Sequence, residues 1–287
     1  MKLKDLNALI TGGSQGLGKA IAEHFLREGA NVVLCARSEK DLLAACAELA
    51  GKFPGQKVLA KTCDVASESQ VNALVAFALR ELGSVQALVL NAGIYGPMGP
   101  TESVPLDEWR RALDINLFGV LLPSRAVIPH FKTAGRGKIV VLSGGGATNP
   151  LPNISAYAAS KAAVVRLMET LAEELIPFHV DVNAIAPGAM ATRLVDEVLA
   201  AGPERVGAAF FAKNKTWKEK GAVPLDLGAS LAVYLACAES DGITGKLISA
   251  QWDPWQDLQQ HREELAKSDI YCLRRIVPED RGQKWEK

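Results

Sequence analysis

An excess of either charge is the first thing this sequence lacks. Its 287 residues carry 32 Lys and Arg against 32 Asp and Glu, for a formal net charge of zero. Without a basic surplus there is no electrostatic footprint for nucleic acid or an acidic membrane surface, and neither partner is expected. Long apolar runs are also missing: no stretch of sequence approaches the roughly 18 residues of a membrane span. The N-terminal MKLKDLNALITGG has two lysines and a brief apolar run that stops at glycines, too short for a signal peptide and better read as a buried strand. Cysteines are few and scattered, at 35, 46, 63, 237 and 272. None forms a CxxC pair or stands at ligand spacing from a histidine, so neither a disulfide framework nor a metal centre is expected. An odd set of separate thiols fits a reducing compartment, and the expected location is the cytoplasm. His24, His130, His179 and His261 are isolated from one another and are assigned no chemistry.

Apolar residues, by contrast, make up 48% of the chain, ample for one large core. Short apolar runs alternate with longer amphipathic stretches. Residues 7–11, 31–36, a run ending near Asp64, 87–93, 138–143, 180–188 and 246–250 read as strands. The stretches 16–28, 39–50, 67–82, 107–132, 156–176 and 226–238 read as helices. Ser67-Glu68-Ser69-Gln70 has the spacing of a capping box. Strands that are apolar almost throughout, each followed by a helix, imply an α/β fold: one doubly wound domain around a parallel sheet of about seven strands. No linker divides residues 1–250. Residues 251–287 break the alternation, are rich in charge and tryptophan, and read as a C-terminal extension that wraps the surface or meets a neighbouring subunit.

Between the first strand and first helix stands Thr11-Gly12-Gly13-Ser14-Gln15-Gly16-Leu17-Gly18. Glycines there let the backbone turn sharply and approach a pyrophosphate, while the helix N-terminus offers free N–H groups to it. Tyr157 and Lys161 lie i and i+4 on one helix and so share a face. An ammonium about 4 Å from a phenol, at an effective dielectric near 20, favours the phenolate by roughly 4 kcal/mol, about three pKa units. Such a pair can move a proton near neutrality.

Taken in order with Asp64-Val65, Asn91-Ala92-Gly93, Asn116 within DINLFG, and Pro187-Gly188 followed by Thr192, these motifs resemble those of the short-chain dehydrogenase/reductase family across residues 5–250. The resemblance implies a Rossmann-type domain that transfers a hydride between a nicotinamide cofactor and a carbonyl or alcohol substrate. By resemblance, Gly12, Ser14, Gln15, Gly16, Leu17 and Gly18 cradle the pyrophosphate. Asp64 and Val65 contact the adenine. Asn91, Ala92 and Gly93 wall the pocket, with Pro187 and Gly188 beyond them, and Thr192 holds the nicotinamide carboxamide. Tyr157 is implied as general acid, Lys161 as its partner and a ribose ligand, and Asn116 as the residue that bends its helix and organises a proton relay. Family members pair subunits through long helices and the last strand, so a homodimer or homotetramer is expected.

The end of the second strand bears on which nicotinamide is used. A carboxylate there binds the ribose hydroxyls of NAD. This chain has Arg37-Ser38 instead, and a guanidinium fork suits a 2′-phosphate, so NADP(H) is expected.

One position departs from the family. Its substrate-binding serine falls 13 residues before the tyrosine, which here is Gly144; Ser143 is one residue early and is followed by three glycines. Either a one-residue bulge lets Ser143 polarise the carbonyl, which is the assignment adopted, or Ser155 or a backbone N–H substitutes. Residues 189–222 are expected to form a lid, with Tyr95, Met98 and Ile154 lining the substrate side. Two other readings stand beside carbonyl reduction: a nucleotide-sugar epimerase or dehydratase, and an NADP-binding regulator without turnover. The chain has neither the TGxxGxxG turn nor the length of the first. Only the displaced serine speaks for the second.

Overall fold

A computed structural model describes residues 1–285. The chain alternates as expected: β1 (Asn7–Thr11), α1 (Gly16–Arg27), β2 (Asn31–Ala36), α2 (Glu39–Lys52), β3 (Val58–Thr62), α3 (Glu68–Leu82), β4 (Ala87–Leu90). Next come α4 (Leu106–Leu113), a π-helical turn (Asp114–Phe118), α5 (Gly119–Ala134), β5 (Gly137–Leu142), α6 (Ser155–Leu175) and β6 (Val180–Ala186). The last part holds α7 (Arg193–Ala201), α8 (Pro203–Val206), α9 (Ala208–Lys220), α10 (Leu225–Ala236), β7 (Leu247–Ser249) and α11 (Arg262–Lys267).

The seven strands form one parallel sheet in the order β3-β2-β1-β4-β5-β6-β7. Alternate strand residues enter opposite cores. Ile10, Val32, Leu34 and Val140 join the α1 and α10 side, while Leu9, Val33, Leu88 and Val141 join the α3, α5 and α6 side. Burial on both faces is why these strands read as unbroken apolar runs. The order reverses between β1 and β4. The crevice outside the strand ends at such a switch point is where ligands bind in open α/β sheets.

The capping box on α3 does not form. Ser67 makes no side-chain cap hydrogen bond. Gln70 accepts from the Asp64 N–H at 2.9 Å instead. The loop after β3 has its own unpaired amide, and it competes successfully for the side chain. Ser38, by contrast, caps α2 by accepting from Asp41 N at 3.4 Å.

The helical stretch Leu106–Ala134 is long and apolar enough to cross a membrane by length and composition, contrary to the absence of such a run expected from sequence. It is interrupted by the π-turn and carries Pro123 and Pro129. Phe131 and Val127 from it are fully buried in the domain core.

The C-terminal extension is strapped to the domain. Trp255 packs on Tyr234 of α10 and donates from its indole to Ala250 O at 3.2 Å. Leu258 and Leu265 are buried. The Tyr271 carbonyl accepts from Leu247 N at 2.8 Å and so covers the open edge of β7.

Candidate active site

The cleft at the switch point has a volume of about 530 Å³, within the range of small-molecule sites. A larger hollow of about 1090 Å³ lies at the opposite end of the strands. Much of its charge is already paired, as Lys138 is with Asp181 and Asp241 at 2.7 Å each. The smaller cleft is therefore the chemical one.

Its floor is the glycine turn. Gly12 has φ +66°, and a Cβ there would stand 2.8 Å from Asn91 Nδ2. A Cβ on Gly18 would meet Gly12 O at 2.2 Å, so Gly18 serves the tight packing of turn on helix and does not line the cleft. Gly16, with φ +55°, faces only the Thr192 methyl at 3.8 Å. Backbone at the start of α1 is thus open to a diphosphate. Ser14, Gln15 and Leu17 line the same wall.

Asn91 ties this floor to the end of β4. Its Nδ2 donates to Thr11 O and Gly12 O at 3.1 Å each. Thr11 Oγ1 in turn accepts from Asn91 N and Ala92 N. The structural part played by Thr11 was not read from sequence, where it is one more apolar-strand terminus.

Arg37 and Ser38 line one end of the cleft, beside Asp41, Asp64 and Val65. Burial pushes the Asp64 carboxyl up. Hydrogen bonds from Arg111 and the Ala66 N–H, with the charge of Arg37, more than reverse this and hold it below the usual carboxylate range.

Tyr157, Lys161, Leu142, Gly93 and Ile94 line the other end, with Pro187, Met190, Thr192 and Arg193 arriving from beyond β6. Lys161 Nζ donates to Leu142 O at 2.6 Å and lies 5.8 Å from the centre of the Tyr157 ring. A Cβ on Gly93 would meet both Asn116 Oδ1 (3.3 Å) and Lys161 Nζ (3.7 Å), so these groups converge.

Asn116 is fully buried in the π-turn. Its Oδ1 accepts from Ile94 N, and its Nδ2 donates to Ile94 O and Ser160 Oγ, all at 2.9 Å. The helix is irregular there, as expected. Both amide hydrogens are spent on the protein.

The electrostatics of the pair reverse the expected sign. Burial, followed by the nearby Tyr95, pushes the Tyr157 phenol above its ordinary value. Burial also lowers Lys161 to about 8. Burial leads both shifts; Lys161 turns its ammonium to the Leu142 carbonyl and lies beside the Tyr157 ring.

The Ser143 assignment meets a different backbone from the one it needed. No bulge forms: β5 stays in register with β6 through Leu142↔Ile185, and Ser143 N donates to Ile185 O at 2.8 Å. The Ser143 hydroxyl is buried, has no hydrogen-bond partner among the described residues and does not line the cleft. Ser155, the alternative, accepts from Trp109 Nε1 at 3.1 Å. Gly188 supplies a turn with φ +88° and also lies outside the cleft lining.

Residues 189–222, the expected lid, form three helices, α7 to α9, joined at their base by Val223 N donating to Ala189 O. From α9, Phe210 packs edge-on against Tyr95, which packs edge-on against Tyr157 at 4.7 Å between centroids. Phe210 opens the FFAKNKTWKEKG stretch, whose mixed aromatics and lysines read in sequence as a partly solvated helix or a clamp on a polar substrate, with no sign of the contact to Tyr95.

Residues 6–202 match the family model for short chain dehydrogenases. The chain belongs to the short-chain dehydrogenase/reductase family. It is 39% identical to a glucose 1-dehydrogenase of Gluconobacter oxydans over 185 residues, 64% of this chain and 69% of that one. It is 34% identical to levodione reductase of Leifsonia aquatica over 239 residues, 82% of this chain and 89% of the relative. The crystal structure of a levodione reductase superposes with a TM-score of 0.80 at 30% identity, covering 89% of this chain and 99% of the other. An NAD+-bound xylitol dehydrogenase superposes with a TM-score of 0.79 at 28% identity, covering 87% and 98%. The chain is accordingly an oxidoreductase of alcohol and carbonyl groups that uses a nicotinamide cofactor and a small-molecule substrate.

Proposed function

We propose that this protein is an NADP(H)-dependent reductase of ketones or aldehydes. The observation that carries the cofactor choice is Arg37 with Ser38 in the lining of the cleft at the end of β2, with no carboxylate at the strand end itself. A planar guanidinium there can grip a 2′-phosphate and offset its charge.

The cleft fits the group it would hold. Gly16 leaves backbone bare for a diphosphate with the Thr192 methyl beside it, and Lys161 lines the cleft by Tyr157, where a ribose would lie. When bound, the nicotinamide supplies the hydride. The chain's own residues do the rest. Burial keeps the Tyr157 phenol protonated at rest, and it would give that proton to a carbonyl oxygen becoming an alkoxide. Lys161 provides positive charge beside it. Asn116 fixes Ile94 and the start of the loop that carries Tyr95. Tyr95 and Phe210 shield the phenol from water.

Reduction is the proposed direction, with Tyr157 as acid; the same group serves as base in the reverse reaction. The cytoplasm remains the proposed location. Self-association into a dimer or tetramer is supported by the exposed Leu106 and Phe118 on the long helical stretch.

The test is turnover on a panel of ketones and aldehydes with NADPH and with NADH, followed by nicotinamide absorbance. NADPH should give the higher kcat/KM by at least about tenfold, the weight of one charge-assisted contact. Equal or reversed preference would refute the cofactor assignment. Saturable NADPH binding with no turnover would instead favour the regulator.

A further inference from the structure

We infer that Gly144 is a positioning residue for Tyr157: the phenol oxygen occupies the space where a side chain at 144 would begin, and Ser143 takes no part in proton transfer. The inference deepens the proposed carbonyl reduction and rests on it for the catalytic part.

The distance is the main observation. A Cβ built on Gly144 would stand 2.4 Å from Tyr157 Oη and 3.4 Å from Cζ. Real Cβ atoms do not approach so closely, so a side chain at 144 and the phenol cannot hold these places together. The glycine is not demanded by backbone strain. Its φ of 179° and ψ of 175° are extended, open to any residue. What a side chain at 144 would meet is the tip of the tyrosine, which would have to leave its place.

The same extended geometry fixes where Ser143 points. Successive side chains of an extended segment face opposite ways. The direction of a side chain at 144 is toward Tyr157 Oη, so that of Ser143 is away from it. Ser143 shares its parity with Ile139 and Val141, both in the core against α5 and α6. Its hydroxyl is buried there, without a partner among the described residues. The hydroxyl nearest in sequence is therefore turned from the reacting centre, and the residue that faces the centre has no side chain. The Tyr157 hydroxyl is thus pressed against the main chain of Gly144, with no hydroxyl from residues 143 or 144 beside it.

Two readouts test this, one of them independent of turnover. In the first, Gly144→Ala is made with Tyr157 and with Tyr157→Phe, and thermal unfolding is followed. The alanine should lower Tm beside Tyr157, and most of that loss should vanish in the Tyr157→Phe background, where no oxygen meets the new methyl. An equal loss in both backgrounds would overturn the proposed seat. In the second, Gly144→Ala should lower kcat by about 100-fold, as a displacement near 1 Å does, with NADPH dissociation by fluorescence unchanged. Ser143→Ala should keep kcat/KM within about threefold and leave the pH profile in place. Full kcat in Gly144→Ala, or a 100-fold loss in Ser143→Ala, would refute the inference. Should the wild-type protein turn over no carbonyl, the proposed function fails, while the unfolding cycle still decides whether Gly144 seats the phenol.

Discussion

Lys161 points its ammonium at the Leu142 carbonyl, 2.6 Å away, and is 5% exposed to solvent. The last residue of β5 thus accepts from the residue that the helix α6 brings to the cleft. A lysine so enclosed is held against its own solvation, and its pKa falls from 10.5 to about 8. By the usual conversion that is a cost of about 3 kcal/mol to the charged form in the folded protein.

Lys161→Met should therefore stabilise the fold at neutral pH while abolishing activity. A methionine fills similar volume without a charge to desolvate. Denaturant unfolding at pH 7 checks it. A variant less stable than wild type by more than 1 kcal/mol would mean that the Leu142 hydrogen bond outweighs desolvation.

The pH dependence follows with a definite sign. The folded value of about 8 lies below the ordinary 10.5, so between these the unfolded chain holds more protons. Stability attributable to Lys161 should rise with pH across that window, and the cost is fully present below about 8. Reductive kcat/KM should do the opposite. It should be flat near neutrality and fall by up to about tenfold per pH unit above about 8, as the ammonium is lost. Stopped-flow rates and unfolding measured over the same pH range would separate the two.

Arg37→Ala should cut the preference for NADPH over NADH by about 10- to 100-fold, the weight of one or two charge-assisted hydrogen bonds. The loss should appear in KM for NADPH, with kcat for NADH unchanged. Equal loss with both cofactors would mean that Arg37 acts through Asp64, whose carboxyl it helps to hold low.

Asn116→Ala removes three hydrogen bonds from a fully buried site, leaving Ile94 N–H, Ile94 O and Ser160 short of partners. The expected loss is about 2–4 kcal/mol of stability. Activity should fall as well, because Ile94 opens the loop carrying Tyr95. Unchanged stability would show that water replaces the amide.

Most of the sheet was readable in the sequence because its strands are buried on both faces and so appear as plain apolar runs. The glycine turn was readable because its backbone demands are written in residue type. Gln70 was misread because a capping motif says nothing of the rival amide on Asp64. The direction of Ser143 was not readable, since it depends on how the end of β5 pairs with β6. The sign of the Tyr157 shift depends on burial, which helical spacing does not report. Phe210 and Tyr95 meet only through the tertiary path of helices α7 to α9.

The most direct test of Tyr157 as the proton donor is hydride transfer in a single turnover by Tyr157→Phe preloaded with NADPH. NADPH affinity should match wild type, and the transfer rate should fall by about 100-fold or more, the usual weight of a positioned acid. Transfer at the wild-type rate would contradict it.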